Sequence, residues 1–212
     1  MKKNYYLLLV FLLMFNVFQA QKKDEEKKEK ESKIQVIGYG GIGFAVIESN
    51  NEPKYNLNSN SGEILLNFKL FKKSGLAIGV SHNQLSGNGF NSMGDFYHER
   101  STLKIPLLYT MESGLTEKID FLANIGFYGQ TIIKDEYQFL NNTQSNIYDG
   151  WNFGLESTIA IVFDYSKSMS FGINFSGQLD LSKFSTKDNQ VISDKQRIEN
   201  QNLIGLLFIM KF

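Results

Sequence analysis

Ile204-Gly205-Leu206-Leu207-Phe208-Ile209-Met210-Lys211-Phe212, at the end of the 212-residue chain, is the stretch that decides the fold. Successive side chains of an extended strand point to opposite faces. Phe212, Met210, Phe208, Leu206 and Ile204 therefore share one face, and Lys211, Ile209, Leu207, Gly205 and Leu203 the other. The first face is apolar along its whole length, with an aromatic residue at its tip.

The same period of two continues upstream to residue 34 and divides into eight stretches. Residues 34–47 form the first, its alternation blurred by Gly38, Gly40, Gly41 and Gly43. In 63–71, Ile64, Leu66, Phe68 and Leu70 share a face, and in 76–81 Leu76, Ile78 and Val80 do. Leu103, Ile105, Leu107, Tyr109 and Met111 oppose Thr102, Lys104, Pro106, Leu108 and Thr110. In 119–128, Ile119, Phe121, Ala123, Ile125 and Phe127 oppose Asp120, Leu122, Asn124, Gly126 and Tyr128. Stretches at 151–163 and 169–180 repeat the pattern, and 197–212 closes it. Each segment is a weak signal alone, but sustained alternation with a polar or small opposite face is how membrane-spanning strands read.

Connections sort by length. Residues 72–74, 112–117 and 164–167 are short, whereas 48–62, 85–97, 134–149 and 182–196 are long and polar. Short turns at one end and long loops at the other are expected where the two ends meet different compartments. An even strand number leaves no open edge. The expectation is an all-β, eight-stranded antiparallel up-and-down transmembrane β-barrel over residues 34–212.

Residues 1–20 read as an export signal, with Lys2 and Lys3 ahead of an apolar run and Ala20 before a cut at Gln21. An uncleaved inner-membrane anchor is the rival, disfavoured because the run falls short of the ~20 apolar residues a spanning helix needs. Residues 21–33, nearly all Lys and Glu, read as a charged periplasmic tether. The chain has no cysteine, which excludes disulfides, thiolate metal sites and a lipid-anchored cysteine. Lys plus Arg and Asp plus Glu both number 22, so no basic field attracts nucleic acid.

Polar groups in hydrocarbon are costly, so the Ile/Leu/Phe face must meet lipid and the polar, glycine-bearing face the lumen. Trp151 and Phe153 then fall near the outer rim, and Tyr109, Phe163, Tyr165 and Phe212 near the periplasmic rim, as interfacial girdles. The closing strand with its terminal aromatic resembles that of bacterial outer-membrane β-barrels. Ser101-Thr102-Leu103-Lys104-Ile105-Pro106-Leu107-Leu108-Tyr109 resembles a strand of the PorT-like outer-membrane barrels, and the general plan is similar to OmpX-like barrels. The resemblance implies the cell outer membrane of a Gram-negative bacterium, a porin-like fold, and reading of Phe208, Met210 and Phe212 by the barrel-assembly machinery. It does not imply one role, since members include secretion-system parts.

Gly38-Tyr39-Gly40-Gly41-Ile42-Gly43 is not a phosphate loop, because no helical pattern follows it. It reads instead as a strand with a close approach or with small lumenal residues. Pro106 lacks a ladder donor and should sit at a bulge or a distorted pairing. His82 and His98 are the only histidines. Ser81 faces away from His82, and no third metal ligand accompanies the pair, so neither a hydrolase nor a metal centre is indicated and no cofactor is expected. Lys69, Lys104 and Lys211 share the inward face with Asp120, Glu156 and Asp180. An eight-stranded interior is only wide enough for side chains to fill. These charges are expected to form a lumenal ion-pair network that plugs the barrel, with Lys104 and Glu156 central; a narrow proton or ion path is the alternative. Phe90, Phe96, Tyr97, Tyr137, Phe139 and Tyr148 interleave the long loops as a candidate protein-binding surface, set against a merely hydrated rim. The function expected is a non-enzymatic structural or interaction barrel engaging a partner through loops or tether. The alternatives are a narrow channel for small solutes and a soluble, lipocalin-like periplasmic barrel with an apolar cavity.

Overall fold

The computed structural model describes residues 33–187 and 194–212. The export signal and, apart from Lys33, the charged tether lie outside the described residues. Among the described residues eight long strands run β1 (Ile34–Ser49), β2 (Tyr55–Phe71), β3 (Ser74–Asn91), β4 (Gly94–Gly114), β5 (Ile119–Phe139), β8 (Trp151–Asp164), β9 (Met169–Asp180) and β11 (Lys195–Lys211). Three short ones, β6 (Thr143–Ser145), β7 (Tyr148–Asp149) and β10 (Phe184–Thr186), lie in the connections. Each long strand pairs antiparallel with the next, and β1 also pairs β11, so the sheet closes on itself. The fold is an all-β, up-and-down antiparallel barrel.

The seam between first and last strands depends on glycine. Gly41 pairs Gly205, and a Cβ on Gly43 would stand 1.9 Å from the Asn202 carbonyl oxygen. The glycine cluster of β1 is thus partly a close backbone approach. Only Gly41 and Gly43 face inward, however; Gly38 and Gly40 lie on the outer face among Val36, Ile42 and Phe44. Phe212 donates its amide to the Ile34 carbonyl at 3.0 Å, joining the two ends.

Alternation sets the faces as the residue pattern requires. Ile64, Leu66, Phe68, Ile78, Val80, Ile105, Leu107, Ile125, Phe127, Ile159, Ile161, Ile173, Phe175, Ile204 and Leu206 all stand exposed on the outer wall. A continuous belt of this kind is solvated by hydrocarbon and not by water. Trp151 and Phe153 border it at one end, and Tyr109, Phe163, Tyr165 and Phe212 at the other, all exposed. The lipocalin-like arrangement, with a polar outside over an apolar cavity, is the reverse of this belt.

Three of the four long polar segments are mostly strand, and the fourth, 182–196, lies partly outside the described residues. β2 already begins at Tyr55, β3 continues to Asn91, β4 starts at Gly94 and β5 reaches Phe139, so residues 48–62, 85–97 and much of 134–149 extend the ladders. β3 and β4 are joined by residues 92–93 alone, and β1 and β2 by 50–54. The physical reason is an exchange of faces. Beyond the belt Asn56, Asn58 and Asn60 point outward, while Leu57, Leu85, Phe96 and Tyr137 point inward. Backbone pairing persists while the apolar face changes sides, which from sequence resembles the loss of a strand.

Pro106 interrupts its ladder without a bulge. Pairing between β3 and β4 skips Ile105 and Pro106 opposite Val80 and Gly79, then resumes in the same register. A bulge occurs instead between β4 and β5, where Ser101 pairs Lys134 but Thr102 pairs Ile132.

Candidate functional site

One strand displays the layering of the lumen. From the outer end, the inward residues of β2 read Tyr55, Leu57, Ser59, Ser61, Glu63, Leu65, Asn67 and Lys69. Each change of chemistry along this series marks a layer to which the other strands contribute.

At the short-turn end lie ion pairs. Lys69 binds Glu112, and Lys211 binds Asp164 at 2.7 Å, with Ser170 donating to the same carboxylate. Asp120 lies half-buried at this end. An amide layer follows, in which Asn67 donates to Gln35 at 2.8 Å and accepts from Thr110 at 2.9 Å. Above it Ile37, Leu65, Leu108, Leu122, Val162, Leu207 and Ile209 pack into a buried apolar layer.

The next layer carries buried charge. The Lys104 ammonium lies 2.6 Å from Glu156 and 3.1 Å from Glu63, and donates to Gln178 at 3.1 Å. All four residues are buried, Lys104 to 2% exposure. Tyr39 accepts a 2.6 Å bond from Asn124 beside them. These groups border a cavity of about 20 Å³, room for about one water molecule. A second apolar layer of Ala45, Ile47, Leu57, Leu85 and Ile198 lies toward the outer end.

Asp180 does not join Lys104. It accepts from Tyr128 at 2.5 Å, Gln130 at 2.8 Å and the Ile198 amide at 2.7 Å. The six charges expected in one network are thus distributed. Lys104 and Glu156 meet at mid-lumen; Lys69, Lys211 and Asp120 lie at the short-turn end; and Asp180 is satisfied by neutral donors. The cause is the apolar layer around Leu65 and Leu108, which separates the lower ion pairs from the central one.

The outermost layer was hidden from sequence. Phe96, Tyr137 and Tyr148, expected as loop aromatics, are buried with Phe184 in one cluster, while Phe90 and Tyr97 are exposed and Phe139 is half-buried. Outside the belt, on the inner face at this level, His98 donates from Nε2 to Asp135 at 2.9 Å, and Arg100 Nε donates to the same oxygen at 2.8 Å. Tyr55 lies 2.9 Å from His98 Nδ1 and 3.1 Å from the Tyr137 hydroxyl, and the His98 ring stacks on Tyr137 with centroids 3.9 Å apart. Burial pushes His98 down to about 4, opposed by its bond to Asp135. Burial alone would raise Asp135, but Arg100 and His98 hold its carboxyl well below the usual range. Burial also pushes Tyr55 up to about 12, so its hydroxyl stays protonated and donates to the neutral imidazole. Both ring nitrogens of His98 are engaged and the ring is fully buried, while His82 faces outward. Among the described residues no group of three or more His, Asp or Glu side chains is placed to hold a metal.

Glu63 was legible, since it has the parity of Leu65 and Lys69. Arg100 with Asp135 was not. Strict alternation from Tyr128 and Gln130 would put Asp135 outside, but the extra residue at Ile133 shifts the phase, and Asp135 and Tyr137 turn inward.

No family model and no curated protein sequence matches the chain. The architecture recurs in solved structures. Neisserial surface protein A superimposes with a TM-score of 0.54 at 9% identity, covering 87% of this chain and 100% of that one. The outer membrane protein OprG from Pseudomonas aeruginosa gives 0.54 at 13% identity, covering 86% and 98%. The outer membrane protease OmpT from Escherichia coli gives 0.50 at 9%, covering 89% and 99%. At such low identity these likenesses establish the fold: the chain has the antiparallel barrel architecture of bacterial outer-membrane proteins.

Proposed function

We propose that the chain is a non-enzymatic outer-membrane protein whose closed barrel serves as a rigid structural or interaction element. The observation that carries this is the lumen. The Lys104–Glu63–Glu156 triad is enclosed between two apolar layers, with a third, aromatic layer at the outer end. A pore needs a hydrated path that ions can enter and leave; the space beside the triad holds about one water. The apolar belt supports a lipid environment, and the shared architecture supports the outer membrane as the location. The buried, doubly bonded His98 supports the non-enzymatic reading, since no reacting group can approach it.

Partner engagement falls to the outer extension of β3, β4 and β5 and to the charged segment at 21–33. Phe90, Met93, Tyr97 and Leu140 are exposed at the tips and outer face of that extension. A secretion-accessory role of the PorT-like kind is the specific form proposed, with Phe208, Met210 and Phe212 read during assembly. Planar-bilayer recording of the refolded full chain tests the closed lumen. Silence at moderate voltage is expected, and discrete ohmic steps from wild-type protein would establish the narrow-channel alternative. Fractionation tests location: a heat-modifiable gel band is expected in the outer-membrane fraction, and recovery in the soluble periplasm would overturn the proposal.

A further inference from the structure

Two carboxylates and one ammonium leave the central layer with one negative charge in excess. Glu63 and Glu156 both address Lys104, at 3.1 and 2.6 Å, and each is about 6% exposed. Lys104 donates to Glu156 and Gln178, and its ammonium also lies 3.1 Å from Glu63 Oε2, a buried oxygen with no hydrogen-bond partner. The other ionisable groups facing the triad, Tyr39 of β1 and Tyr128 of β5 with its ring centroid 5.4 Å from the Lys104 ammonium, are acidic and supply no positive charge; β9 and β11 contribute only neutral groups, among them Asn174, Gln178 and Gln201. With apolar layers above and below, an uncompensated charge here is strongly disfavoured.

A second observation points to the same place. Asn174 Oδ1, Gln178 Nε2 and Gln201 Oε1 are buried without hydrogen-bond partners, and all three residues line the cavity that Glu63, Lys104 and Glu156 border. Besides the unpartnered Glu63 Oε2, two acceptors and one donor around space for a single water match a molecule that donates twice and accepts once or twice. A bare cation would face both the Gln178 N–H and the Lys104 ammonium.

We propose that this cavity binds one water molecule and that Glu63 and Glu156 share one exchangeable proton beside it, so that the lumen encloses a neutral carboxylic acid–carboxylate–ammonium triad. The proton comes from solvent during folding, and releasing it would leave a buried unit charge. The site is a proton store inside the wall, and its existence does not depend on any partner at the outer end.

Infrared spectroscopy of the full chain refolded in detergent, with 13C-labelled glutamate to separate Glu from Asp, tests this. At neutral pH the folded wild type is expected to show the carbonyl stretch of one protonated glutamic acid per chain. Glu63→Gln and Glu156→Gln should each abolish it, because the remaining carboxylate then pairs one-to-one with Lys104. Absence of the band from folded wild type overturns the proposal, and if thermal stability then depends on sodium in place of choline, a cation occupies the cavity. Persistence of the band in either variant overturns the sharing. If a variant fails to give the heat-modifiable folded band, the wild type decides alone: the band must be present at neutral pH and bleach reversibly as pH rises in the folded state.

Discussion

Replacing Lys104 by Met removes the one cation at mid-lumen while keeping most of its volume. Glu63 and Glu156 then remain buried, each about 6% exposed, without the ammonium that both address. Breaking a buried ion pair by removing one partner typically costs about 3–5 kcal/mol. With a urea slope of about 1–3 kcal/mol/M, the unfolding midpoint should fall by roughly 2 M. Trp151, the only tryptophan, lies exposed on the outer wall at the rim of the belt and reports unfolding from vesicles by its fluorescence. The deficit should narrow as pH falls, because a further proton then neutralises the remaining carboxylate in place of Lys104. Adding Glu63→Gln and Glu156→Gln to Lys104→Met should restore most of the loss, since a neutral, similarly shaped layer needs no cation. A Lys104→Met unfolding free energy within about 0.5 kcal/mol of wild type at neutral pH would refute the reasoning, for that is the scale of an ordinary surface substitution.

Three further outcomes are expected. His98 is neutral when folded, with burial holding it near 4 against about 6.5 in the unfolded chain, so its contribution of ~3 kcal/mol is full above pH 6.5 and lost as pH falls toward 4. Urea midpoints measured across that window should slope downward in wild type and flatten in His98→Gln; parallel slopes would show that His98 is not the group responsible. Gly43→Ala drives a Cβ against the Asn202 carbonyl oxygen and should destabilise the seam by about 1–3 kcal/mol, read as loss of the heat-modifiable band at lower urea. Phe212→Ala removes an exposed side chain but keeps the amide that binds Ile34, so refolded stability should change by less than about 0.5 kcal/mol while outer-membrane yield in cells falls; equal losses in both would place the role of Phe212 in stability and not in assembly.

The belt was legible from sequence because hydrocarbon enforces a simple rule. From Leu103 to Met111 and from Ile119 to Phe127, every second residue meets lipid, and the register follows. Lys104 with Glu156 was legible for the same reason, parity alone bringing both inside. Two physical effects hid the rest. Beyond the belt water replaces lipid, so Asn56, Asn58 and Asn60 point out, and a strand there looks like a loop. Then the extra residue at Ile133 shifts the phase of β5, so no alternation counted from Tyr128 reaches Asp135 or Tyr137 on the correct face. The division of the lumenal charges was likewise invisible, since it depends on how far each strand is offset from its neighbour. Parity says which face a residue has and nothing about its height.

The exchange of faces between belt and extension gives the molecule a waterline. Below it the wall is made for oil; above it the same strands carry Leu57, Leu85, Phe96 and Tyr137 inward, as a water-soluble protein would. Depth is therefore written into the side chains and cannot be adjusted by sliding, because a shift of even one pair of residues along the strands would put asparagines into hydrocarbon or isoleucines into water. A closed barrel tilts and flexes less readily than a lone helix. In bilayers of different thickness, then, the lipid should do the accommodating, thinning or thickening around a protein that floats at one fixed draught.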